Sequence, residues 1–143
     1  MKFKSKVFIV LDGNCREAVE YYANVFETKV RYITTFGEIP PDPNNPVLES
    51  NMDKVAFSEL EIGDLTIHLW DRSSPELPYI VGNNFGLHFT IVGMEDAKKV
   101  FNKLKKGGEV LEELHETFYA DLYGNTVDKF GIIWHILCHD PKD

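Results

Sequence analysis

The sequence predicts an α+β protein in which one βαβββ unit is written twice, and three observations carry that expectation. The order strand, helix, strand, strand, strand runs through both halves of the chain. Setting Ala18 on Ala97 also sets Tyr22 on Phe101 and Val25 on Leu104. Both halves close on a histidine between apolar residues, Ile67-His68-Leu69 and Trp134-His135-Ile136. The repeat predicts a single domain, with units at about 5–72 and 84–140.

Taken in order, "KVFIVL" reads as the first strand. "NCREAVEYYANVF" reads as a helix, because Cys15, Ala18, Val19, Tyr22, Val25 and Phe26 follow the helical period and Asn14 and Glu17 have capping-box spacing. "TKVRYITTF", "KVAFSELEI" and "LTIHLWD" complete the first unit as strands. In the second, "FGLHFTIV" reads as a strand, "MEDAKKVFNKLKKG" as a helix with a lysine-rich outer face, and "GEVLEEL", "TFYADLY" and "GIIWHILC" as strands. Within the first unit the inserted segment 37–53, "GEIPPDPNNPVLESNMD", holds four prolines and three asparagines and is expected to be irregular. Its length suits a lid or partner-binding loop as well as a plain surface excursion.

Composition narrows the partners. A net charge of -8 over 143 residues argues against nucleic acid and anionic membrane surfaces, which need a basic footprint. No apolar run approaches the roughly 20 residues that cross a bilayer, and "MKFKSKVFIVLDGN" turns polar too early for a signal peptide, so a cytoplasmic protein is expected. Cys15 and Cys138 form no CxxC and read as reduced, buried small residues.

Strand alternation assigns faces, because residues two apart point the same way. Phe85, Leu87, Phe89 and Ile91 form a row suited to a helix, which leaves His88 and Thr90 on the other side. Leu65, Ile67 and Leu69 do the same for Thr66, His68 and Trp70. The last strand is apolar on both faces, with Ile133, His135, Leu137 and His139 opposite Ile132, Trp134, Ile136 and Cys138. With helices on the outer side of a curved mixed sheet, the remaining faces would form a cleft suited to a ligand. Tyr119, Asp121 and Tyr123 of "TFYADLY", or the alternate residues of that strand, are expected to join its lining.

The duplication resembles the vicinal oxygen chelate superfamily, the group of glyoxalase I, bleomycin-resistance proteins and extradiol dioxygenases. The stretches "DGNCREAVEYYANVF", "TTFGEIPP", "LEIGDLTIHLWD" and "ETFYADLYGNTVDKFGIIWHI" resemble its PhnB-like branch, which is sometimes labelled 3-demethylubiquinone methyltransferase-like. A homodimer is implied by that resemblance alone. Metal-dependent members place a His or Gln on the first strand and a Glu on the last strand of each unit. Here those places fall on Lys6 or Val7, His68, Gly86 and His135, so the usual metal set is missing. A methyltransferase activity finds no support, since no Gly-rich loop follows a strand to hold a nucleotide-like cofactor.

Two readings of the cleft follow. In the favoured one, His68, Trp70, Thr90, Tyr119 and Tyr123 bind a small planar or cationic molecule without metal, and His88 or His135 serves as a general base. In the alternative, His68, His88 and His135 hold Zn²⁺, Fe²⁺ or Ni²⁺ as a Lewis acid in a lyase, isomerase or dioxygenase-type enzyme. Glu59 would add a fourth ligand if its face were the cleft side, but Leu60 and Ile62 leave the alternation ambiguous. A third reading makes the histidines structural in a dimer without catalysis. Asp71 and Asp128-Lys129 read as turn residues, and His115 and His139 as solvated strand ends.

Overall fold

The computed structural model describes residues 1–44 and 46–140. The chain divides into two units between Tyr79 and Ile80. The first comprises β1 (Val7–Leu11), α1 (Cys15–Val25), β2 (Val30–Thr35), β3 (Val55–Ile62) and β4 (Leu65–Asp71). Its sheet runs β1-β4-β3-β2, with β1 parallel to β4 and the other pairs antiparallel. The second comprises β5 (Gly86–Val92), α2 (Met94–Lys105), β6 (Glu109–His115), β7 (Leu122–Val127) and β8 (Ile133–His139). Its sheet repeats the order as β5-β8-β7-β6, again with the first strand parallel to the last. The βαβββ repeat read from the sequence is thus present in both units.

Each helix covers one face of its own sheet. In α1, Cys15, Ala18, Val19, Tyr22 and Val25 are buried at helical spacing, and in α2 Ala97, Phe101 and Leu104 are buried. Full burial of a large apolar side chain contributes about 1.5–3 kcal/mol, so this stripe, more than helix propensity, holds each helix in place. The three residue pairs that align the repeat, Ala18/Ala97, Tyr22/Phe101 and Val25/Leu104, are all core positions. Opposite them in the first sheet lie Ile67, Leu69 and Ser58, whose hydroxyl donates to the Leu69 carbonyl at 2.6 Å and stands 3.9 Å from Cys15 Sγ of α1. In the second sheet Leu87, Trp134, Ile136 and Cys138 are buried on the corresponding face. Burial, reinforced by the Asp71 carboxylate, pushes the Cys15 thiol up to about 12 and keeps it protonated and inert.

Four expectations are corrected. The strand assigned to "TFYADLY" begins only at Leu122 and continues to Val127; residues 117–120 form a turn in which Thr117 Oγ1 accepts from the Ala120 N–H at 3.0 Å. Phe85 precedes β5 and is 73% exposed, so it is no part of the helix-facing row. Asn14 makes no side-chain cap on α1. That task falls to Asp71 at the end of β4, whose Oδ1 accepts from Gly13 N at 2.8 Å and Cys15 N at 3.0 Å. Asp140 does the same for α2 through Met94 N at 2.9 Å. Lastly, the 37–53 segment is not wholly irregular, because 3-10 turns at Phe36–Glu38 and Glu49–Asn51 fix its ends.

Candidate functional site

The open face of the first sheet is set by register. Phe8 pairs with His68 and Val10 with Trp70 across β1 and β4, while Glu59 of β3 pairs with His68. Lys6, two residues before Phe8, projects to the same side: its Nζ lies 3.4 Å from His68 Nε2 and 3.5 Å from Glu59 Oε1. His68 Nε2 is itself 2.7 Å from Glu59 Oε1, and Arg31 of β2 reaches the other carboxylate oxygen at 3.2 Å. The Glu59 side chain is only 7% exposed, so this buried carboxylate is matched by cations on both oxygens. Its hydrogen bond with His68 holds it below the usual carboxylate range, against the opposing effect of desolvation. Beside this cluster, Phe8 stacks on Trp70 with centroids 4.8 Å apart and planes at 24°.

In the second unit, His88 and His135 are register partners on the face away from α2, with ring centroids 6.1 Å apart. Tyr123 of β7 lies beside them, its Oη 2.9 Å from His135 Nδ1, and Asn125 Nδ2 donates to the same phenol oxygen at 3.4 Å. One imidazole nitrogen of His135 is thereby fixed, leaving Nε2 for another partner. Tyr119, carried on the 117–120 turn rather than on a strand, packs edge-on to Tyr123 at 5.9 Å, and the exposed Phe118 packs edge-on to Tyr119 at 5.1 Å. Thr90 is exposed on β5, opposite Leu137. His115 also borders Tyr123, edge-on at 6.5 Å, and a hydrogen bond to Glu112 raises its pKa above the ordinary value. His139 is exposed.

The expected site residues therefore gather as two groups: His68, Trp70 and Glu59 in the first unit, and His88, His135, Tyr123 and Tyr119 in the second. Sequence reasoning missed Phe8, Arg31 and Asn125. Phe8 had a usable signal, since Ile9 and Leu11 mark the helix-facing row of β1 and leave Lys6, Phe8 and Val10 opposite. Asn125 was hidden by the misplaced strand. Asp128 is turn-forming, as expected, whereas Asp71 is the last residue of β4 and holds the start of α1 and of β3 instead. Asp128 accepts from Phe130 N at 2.8 Å, Ile132 N at 3.1 Å and Trp134 Nε1 at 2.7 Å, and so shapes the turn that launches β8.

A separate pocket of about 240 Å³ lies at the base of the 37–53 segment, lined by Asp12, Ser50, Asn51, Lys54 and Arg72. The Arg72 guanidinium is committed there to Asp12 and to the Pro75 and Leu77 carbonyls. None of the expected site residues lines it.

Two mixed sheets of this order, each with one helix, define the glyoxalase-type class of α+β proteins. The chain belongs to the Glyoxalase/Bleomycin resistance protein/Dioxygenase superfamily, whose model matches residues 6–136. It is 26% identical over 136 residues to Protein YjdN of Escherichia coli K12, covering 90% of each chain. Among solved structures it is similar to protein PA1353 from Pseudomonas aeruginosa, at a TM-score of 0.86 and 25% identity over 98% of this chain and 100% of that one. The PhnB protein of Bacillus cereus shares the fold at a TM-score of 0.75 and 20% identity, over 96% of this chain and 100% of that one.

A divalent metal is the cofactor this fold family implies, and the first unit does not fit one. The imidazole nitrogen facing Glu59 is already hydrogen-bonded to it, and the Lys6 ammonium stands against both atoms. In the second unit the first-strand place is Gly86, where even a Cβ would come within 2.9 Å of the Ile133 carbonyl oxygen. Among the described residues no three His, Cys, Asp or Glu side chains are grouped to hold a metal ion.

Proposed function

We propose that this protein binds a small molecule on the open sheet faces, without the family's usual metal set, and that the His88, His135 and Tyr123 group is the polar anchor. One observation carries the reading: the 2.9 Å contact between Tyr123 Oη and His135 Nδ1, on a face that α2 does not cover. It fixes the orientation of an imidazole whose Nε2 can then donate to, or accept from, a ligand. Membership of a superfamily that includes resistance proteins and dioxygenases supports the reading at the level of class. Tyr119 and Phe118 would supply an aromatic wall for a planar or cationic ligand, as rings do through their faces. His88 or His135 would act as general base where a bound molecule presents an acidic proton.

The test is a fragment screen by ¹H–¹⁵N NMR on untagged protein. Binding fragments should shift the amides of His88, Tyr123 and His135 together, and Tyr123→Phe and His135→Ala should each weaken the same fragments. Fragments that bind elsewhere, or that bind the two variants as well as the parent, would remove the proposal.

A further inference from the structure

In the first unit two atoms could share a cation, and a cation is already beside them. His68 Nε2 and Glu59 Oε1 are 2.7 Å apart, and Lys6 Nζ stands 3.4 Å from the first and 3.5 Å from the second. A metal bound to both would sit at roughly 2.0–2.2 Å from each, in the space the ammonium borders. It would also have to displace the proton that the imidazole and carboxylate share, and bear the repulsion of a fixed positive charge. Arg31 closes the opposite side of the carboxylate, 3.2 Å from Oε2. Glu59 therefore has its neutralising charge without any ion from solution.

We infer that Lys6 is the built-in cation of this unit: its ammonium stands in place of a divalent metal on His68 and Glu59. Among the described residues only His68 and Glu59 are grouped here as ligands, and this ammonium keeps metal from the pair. What the face offers a ligand oxygen here is an ammonium N–H rather than an open coordination position. The sequence left the first-strand place between Lys6 and Val7; the register resolves it, because Val7 pairs with Ile67 on the helix-facing side and Lys6 falls on the side of His68. The inference rests on the first unit alone, so its failure is separate from failure of the ligand reading of the second.

Zinc retained after dialysis, measured by inductively coupled plasma mass spectrometry, tests it, with circular dichroism as the check on folding. Wild-type protein should retain no zinc that His68→Ala removes. Lys6→His supplies a third neutral ligand and withdraws the ammonium, and should retain a single zinc ion per chain. That ion should be lost when His68→Ala or Glu59→Gln is added, and kept when His135→Ala is added. Should Lys6→His fail to fold, Lys6→Ala should still bind zinc more tightly than wild type, in a manner that needs His68. Wild-type zinc that depends on His68 overturns the inference, as does a folded Lys6→His that retains no more than wild type or a folded Lys6→Ala with unchanged affinity.

Discussion

Asp71 shows how one side chain can hold a unit together from the end of a strand. It is 1% exposed and accepts three backbone N–H groups: Gly13 and Cys15 at the start of α1 through Oδ1, and Val55 at the start of β3 through Oδ2 at 3.0 Å. The Cys15 and Val55 donors are buried. Each buried donor left without a partner costs about 1–3 kcal/mol, so Asp71→Ala is expected to lose at least about 2 kcal/mol, a large share of the roughly 5–15 kcal/mol that holds a domain. Asp71→Asn keeps one acceptor oxygen and should lose less. Urea midpoints followed by circular dichroism measure both, and a loss below 1 kcal/mol for Asp71→Ala would mean that water replaces the carboxylate. At this same scale the sequence was only partly legible. Simple alternation places His68 and His135 on the open faces, but leaves Glu59 ambiguous because β3 is apolar on both sides. Its bond to His68 could not be read without the pairing of β3 with β4.

The strand β7 shows why an element can be found but misplaced. "TFYADLY" alternates well, whereas the true strand "LYGNTV" contains Gly124 and Asn125, residue types depleted from strands. The reason is close approach: a Cβ at Gly124 would come within 2.9 Å of both the Glu112 oxygen and the Leu114 nitrogen, where the pairing of β6 and β7 is interrupted by register shifts. Glycine here is required by the partner strand's backbone, which a window of sequence does not display. Gly124→Ala should therefore push β6 away and cost about 1–3 kcal/mol, as overpacking does. The neighbours Tyr123 and Asn125 should move with it, so the variant is also expected to perturb the His135 ring resonances while leaving the amides of the first unit unchanged. An alanine variant as stable as wild type would show that β6 yields freely. The helices were better marked than the strands, since their buried stripes are local in sequence, but their caps were not, because Asp71 and Asp140 arrive from the far end of each unit.

For the whole chain, the consequence that gathers both units is the dependence of stability on pH. In the first unit Glu59, and also Glu38 through the Thr35 N–H at 3.1 Å, are held below the ordinary value of 4.5. A carboxyl whose pKa is lower folded than unfolded contributes stability above its unfolded pKa, and that contribution disappears as pH falls through the folded value. In the second unit His115 is raised above 6.5, chiefly by its bond with Glu112. Its contribution is complete below 6.5 and disappears as pH rises through the raised folded value. Stability should thus fall on the acid side because of the first unit and decline modestly on the alkaline side of 6.5 because of the second. Glu38 and His115 are exposed, so salt should flatten their share of each limb, whereas the buried Glu59 is screened less. Urea midpoints taken across this range in wild type, Glu59→Gln and Glu112→Gln separate the two. Glu112→Gln should remove only the alkaline decline, and Glu59→Gln should blunt the acid one while lowering stability near neutrality. An alkaline limb unchanged by Glu112→Gln would transfer that effect to another group and remove His115 from the account.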